Sequence, residues 1–167
     1  MRFLEPEMYQ PRARAVYETV ATQLRALLPD ALIEHIGSSA IAGAISKGDL
    51  DVFVAVSRDK FSEAIAAIES CGFRIKSNTL RTDQLCPFES DNYALDVGIQ
   101  LVERGSHFEF FRRFRDLMNA DPWLRDRYNQ LKREAEPLDE QSYRVLKSDF
   151  IEAVLAQTDP SLSTSDK

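Results

Sequence analysis

Asp49-Leu50-Asp51 sets two carboxylates one residue apart at the head of an apolar run that continues Val52-Phe53-Val54. In an extended strand, alternate side chains share a face, so both acids project the same way. Two fixed carboxylates suit a hard divalent cation, Mg²⁺ or Mn²⁺. Upstream, the apolar stretch Ala31 to Ile36 runs into Gly37-Ser38. A turn with no side chain at Gly37 bares backbone N–H groups, and the Ser38 hydroxyl adds a donor for a β- or γ-phosphate. Lys47, just before the aspartates, is a mobile point charge for the same phosphate. Asp96, in Tyr93-Ala94-Leu95-Asp96-Val97-Gly98-Ile99, reads as a third carboxylate in mid-strand, costly there unless paired or coordinated.

Carboxylates, cation and phosphate-gripping turn together predict nucleotidyl transfer. A hydroxyl attacks the α-phosphate of a nucleoside triphosphate and pyrophosphate leaves, a reaction governed by positioning and charge neutralisation. Asp49, Asp51 and Asp96 are the expected catalytic and metal-binding residues, and Gly37, Ser38 and Lys47 the expected nucleotide contacts. The acceptor is open: a small molecule, a protein side chain or an RNA end. Two other readings compete. An idle nucleotide- or partner-binding module is disfavoured by clustered like charges that destabilise one another without a metal. A phosphatase of the haloacid-dehalogenase type is disfavoured because its aspartates end a strand, whereas these begin one. His35 abuts the turn, and a hydrogen-bonded strand-end role is expected for it.

The elements that must hold these groups read as α+β. Pro11 to Leu28 carries an amphipathic stripe (Ala13, Val16, Tyr17, Val20, Leu24) and predicts an N-terminal helix. Strands follow at Ala31–Ile36 and about Asp49–Val56, then a helix capped by Asp59 and ended by Gly72. Phe73–Ile75, Asn78–Leu85 and Tyr93–Val102 read as further strands, with turn chemistry at Cys86-Pro87 through Asn92. Ser106-His107-Phe108-Glu109 fits a capping box, Asp121-Pro122 a helix start, and Asp139 opens the last helix. The expected organisation is one domain over 1–156, with a sheet core at about 30–102, a helical part at about 105–156, and a flexible polar tail at 157–167.

At 167 residues the chain is long enough for one full core. No apolar run reaches a membrane-spanning length, no signal-peptide core opens the chain, and the two cysteines have no CxxC spacing, so a cytoplasmic location is expected. The net charge of −6 argues against broad DNA binding. From Glu103 to Arg133, however, eight basic residues face five acidic ones, a helical region that could meet a polyphosphate or simply carry surface ion pairs.

Gly37-Ser38 with Asp49-x-Asp51 and a later aspartate resembles the DNA polymerase β-like nucleotidyltransferase superfamily. Within it the chain is most similar to the GrpB-like family, through Glu34 to Ile41, Phe114 to Met118 with Asp121-Pro122, Tyr128 to Lys132, and Tyr143 to Ile151. The resemblance implies a mixed sheet with an N-terminal helix and a helical C-terminal half. It also implies that Lys132, Tyr143 and Lys147 lie near the cleft, their roles open. Two positions depart from the family pattern, which often has an apolar residue at Asp49 and histidines near Asp96. Both changes favour a metal-dependent enzyme and weigh against strict family membership.

Overall fold

The computed structural model describes residues 1–157; of the polar tail expected at 157–167, Gln157 ends the last helix and the rest lies outside the described residues. Helix α1 (Pro6–Leu27) starts a turn earlier than the stripe predicts, with Pro6 in its first turn and Pro11 inside it. Strands β1 (Leu32–Ile36) and β2 (Leu50–Val56) follow, then α2 (Phe61–Ser70), β3 (Arg74–Ile75), β4 (Leu85–Ser90) and β5 (Val97–Glu103). Helices α3 (Phe110–Ala120), α4 (Pro122–Ala135) and α5 (Glu140–Gln157) complete the α+β fold.

The sheet runs in the order β1-β2-β5-β4-β3, with β2 and β5 parallel and the other pairs antiparallel. Alternation divides it into two faces. Leu50, Val52 and Val54 of β2, with Val97, Ile99 and Leu101 of β5, pack against Tyr17, Val20 and Leu24 of α1 and Ala64 and Ile68 of α2. Phe53, Ala55 and Val102 turn the other way, toward Phe108 and Phe111 at the head of the helical half. Asp51 shares the parity of Phe53, so it belongs to this second face.

Four local readings change. Asn78 to Gln84 forms no strand, because pairing with β5 begins only at Leu85. Cys86 to Ser90 is strand β4, not a turn. Its Pro87 carbonyl accepts from Lys76 N–H (2.9 Å), so this residue's backbone faces the short β3, and the missing N–H removes no bond to β5. Neither Ser106 nor Asp59 caps a helix: α3 and α2 are entered through short 3₁₀ turns with no side-chain cap bond. Asp121 does cap α4, accepting from Trp123 N–H, and Asp139 accepts from Ser142 N–H at the start of α5.

Candidate functional site

Asp51 stands opposite Ile36 on β1 and Gly98 on β5, in a slot shaped by glycine on both sides. A Cβ on Gly37 would lie 2.5 Å from Asp51 Oδ2, and one on Gly98 would lie 2.9 Å from Oδ1. Gly37 also has φ +72°, which a side chain would strain. The glycine of the Gly-Ser turn therefore seats a carboxylate as well as freeing backbone donors. Gly98 is a position of the candidate site that sequence reasoning missed; the Asp96-x-Gly98 spacing was its signal.

Asp49 lies one residue before β2, fixed by the Ser46 hydroxyl, which donates to Oδ1 at 2.8 Å and accepts from Gly48 N–H. Burial works to raise its carboxyl, but Lys147 and the Ser46 hydrogen bond prevail and hold it below the usual aspartate value. Asp51 goes the other way: burial, then the neighbouring Asp49 charge, push it up to about 6. Asp96 is not in mid-strand. It is exposed, in the segment before β5, where its carbonyl accepts from Leu50 N–H at 2.9 Å. The register that pairs Leu50 with Val97 still sets it beside Asp49, and all three aspartates line one open cleft of about 720 Å³. Among the described residues, no three His, Cys, Asp or Glu side chains are grouped to hold a metal ion.

Behind Asp51 a second cavity of about 150 Å³ is bounded by Gly37, Ser38, Tyr128 and Lys147, with Phe110 and Phe111 at its apolar wall. Two lysines from the helical half converge here. Lys132 of α4 is 1% exposed; it donates to Ser38 Oγ (2.7 Å) and Ile45 O (2.6 Å), and its ammonium lies 4.0 Å from the Tyr128 ring centre. Burial, then the Lys147 charge, hold it well below the ordinary lysine value. Lys147 of α5 is raised above that value: the Tyr128 phenol oxygen, then Tyr143, Asp51 and Asp49, outweigh its burial. Lys147 is thus the standing positive charge beside the acid pair. Tyr143 is buried, packs edge-on to Phe3 at 5.4 Å, and has its phenol raised by burial.

Lys47 lines the cleft but is paired with Glu140 of α5 at 3.2 Å. His35 points to the opposite face. It stacks on Tyr17 of α1 (4.9 Å between ring centres) and bonds Ser39 Oγ at 2.7 Å; burial and the Arg14 and Arg115 charges lower it to about 4, so it is neutral. The basic helical region mostly serves as structural pairing, with Arg112 and Arg115 on Glu34 and Arg133 on Glu5; of its cations, Lys132 reaches the site.

The loop between β1 and β2 is held by side chains from three helices. Gln10 of α1 donates to Ile41 O; Asn119 of α3 accepts from Ala42 N–H and donates to Ala40 O. Asn129 of α4 accepts from Ile45 N–H (3.0 Å) and donates to Gly43 O (2.9 Å).

Acids at and just before the starts of two neighbouring strands, beside a glycine-serine turn on a mixed sheet with a helical C-terminal half, belong to a nucleotidyltransferase-like fold. The GrpB protein family profile matches residues 5–157, and the chain belongs to that family despite its two departures from the pattern. A UPF0157 protein of Vibrio cholerae is 44% identical over 94% of this chain and 83% of its own. The crystal structure of GrpB from Enterococcus faecalis superposes with a TM-score of 0.73 at 20% identity, over 95% of this chain and 100% of that one. The Cid1 poly(U) polymerase, in a MgGTP-bound structure, shares the fold at TM-score 0.56 and 17% identity, over 76% of this chain and 42% of its own. A cytoplasmic RNA terminal U-transferase does so at TM-score 0.57 and 18% identity, over 77% and 40%.

Proposed function

We propose that this protein transfers a nucleoside monophosphate from a nucleoside triphosphate to a hydroxyl acceptor, with a divalent cation held by Asp49 and Asp51. The observation that carries the reading is the Asp51 carboxylate, set between Gly37 and Gly98 where the two cavities meet. The donor set fits such a cation: two hard oxygen ligands, one of them raised to about 6 by burial and by its acidic neighbour. Mg²⁺ commonly takes one or two carboxylates plus substrate phosphates, so a third protein ligand is not required. When bound, Mg²⁺ or Mn²⁺ would neutralise phosphate charge and polarise the phosphoryl group.

The rest is the work of this chain's own groups. Ser38 Oγ accepts from Lys132 and also lies within hydrogen-bond reach of the Tyr128 phenol, so a phosphate oxygen would compete with Tyr128 for its hydroxyl proton. Lys147 supplies positive charge to the terminal phosphates in the smaller cavity, which has room for about five water volumes. In this reading Asp96, exposed on the cleft, takes the proton of the acceptor hydroxyl rather than completing a cluster. The fold shared with Cid1, whose structure contains MgGTP, supports the nucleotide assignment. Among the described residues no helix is long and apolar enough to cross a membrane, in keeping with the cytoplasmic location we propose.

One observation favours an idle nucleotide- or partner-binding module instead: Lys147 already offers the acid pair a counter-charge. Two measurements separate the readings. Triphosphates labelled at the α-position should pass label to a component of cell extract and release pyrophosphate, whereas the idle module would bind and release nothing. Asp51→Asn should abolish calorimetric binding of Mg²⁺-nucleotide; unchanged binding would remove the site.

A further inference from the structure

The open cleft holds more charge than the reaction needs. Besides the aspartates it is lined by Arg12 of α1, Lys47, and Arg74 and Lys76 at the end of β3. Two of these cations are committed: Arg74 to Glu89 and Asp91 (both 3.4 Å), and Lys47 to Glu140. The same bonds account for the cleft's remaining carboxylates. Arg12, from α1, and Lys76, just after β3, both line the cleft and make no ion pair among the described residues. Lys76 is also close enough for its charge to bear on Asp51. The cleft is therefore polarised, with an acid floor at Asp49, Asp51 and Asp96 and two uncommitted cations at the rim.

We propose that the acceptor is a small hydroxylated anion, its charged group held by Arg12 and Lys76 and its hydroxyl directed at Asp96. This rests on the transferase reading and names the substrate class it left open. A volume of about 720 Å³ falls within the range of roughly 300–1,000 Å³ typical of small-molecule sites. A long polynucleotide would meet a protein of net charge −6 with only two free cations at this mouth. In the step itself the acceptor oxygen forms a bond to the α-phosphorus. The bond from that phosphorus to the pyrophosphate oxygen breaks, its electron pair leaves with pyrophosphate, and the hydroxyl proton passes to the Asp96 carboxylate. Phosphate and carboxylate would serve the rim equally, and the experiment distinguishes them.

The test uses the full chain, Mg²⁺, α-labelled triphosphates and cell extract divided into macromolecules, anion-exchange-retained small molecules and unretained small molecules. Label should enter the retained small molecules. Loss of acceptor capacity after phosphatase treatment of that fraction identifies a phosphate, and persistence a carboxylate. Arg12→Gln and Lys76→Gln should each reduce labelling roughly tenfold, as expected for losing one charge-assisted hydrogen bond. Calorimetric binding of a non-hydrolysable Mg²⁺-triphosphate should be unchanged in Arg12→Gln, and in Lys76→Gln it should fall by less than the labelling does. Label confined to the unretained fraction, or to RNase-sensitive macromolecules, would overturn the small-anion acceptor while leaving nucleotidyl transfer intact. No labelled product in any fraction would overturn transfer and the acceptor with it.

Discussion

Asp51 couples the stability of the protein to pH. Its folded value of about 6 lies above the ordinary aspartate value of 3.8, so the metal-free protein is relieved of the charge in acid and burdened by it at neutral pH. The burden is absent below about pH 4, grows toward pH 6 and then levels at on the order of 3 kcal/mol. Asp51→Asn should therefore melt higher than the parent protein at pH 7.5 without metal, and the two should converge at pH 4. A lower melting temperature at both values would contradict the burial account. His35 acts in the opposite sense. Its value of about 4 lies below the usual 6.5, so the stability of the neutral ring is complete above pH 6.5 and is lost as pH falls toward 4. Gly98→Ala tests the slot directly. Its methyl would meet Asp51 Oδ1 at 2.9 Å, which should cost about 1–3 kcal/mol and weaken Mg²⁺-nucleotide binding. Chemical denaturation and calorimetry read the two effects separately.

Among the elements, α4 links the helical half to the loop between β1 and β2. Asn129→Ala would strip a partner from both Ile45 N–H and Gly43 O, and a loss of roughly 2–4 kcal/mol is expected in urea unfolding. The aspartates and the Gly-Ser turn were legible because strand periodicity and turn chemistry are local. So were the caps at Asp121 and Asp139. Strand β4 was not, since Pro87 and the polar residues after it carry a turn's composition, and only its place beside β3 makes proline tolerable there. Asp96 was misplaced for a related reason: the alternation at Tyr93–Val102 starts four residues before Val97, where β5 begins pairing with β2. Lys132 and Lys147 came through family resemblance alone. Helical spacing can suggest which face turns inward, but not that an inward lysine will meet a serine on a distant loop.

At the scale of the whole molecule, one face of the sheet is closed by α1 and α2, and the other by the helical half that brings both lysines. A ligand bridging Asp51 and Lys147 therefore ties the sheet to α5, and its binding should stabilise the entire chain. At about a hundred times its dissociation constant it adds about 2.7 kcal/mol. For a chain of this size that raises the melting temperature by about 5–10 °C. Scanning calorimetry with Mg²⁺ and a non-hydrolysable triphosphate measures this, and Asp51→Asn should show none of it.

The loop between β1 and β2 has peptide groups already engaged by Gln10, Asn119 and Asn129 before any nucleotide arrives. A triphosphate bound as proposed would thus encounter a preassembled cradle, and its capture would demand little ordering of the chain. Association should run at the speed of encounter, in a single kinetic phase whose rate rises linearly with nucleotide concentration.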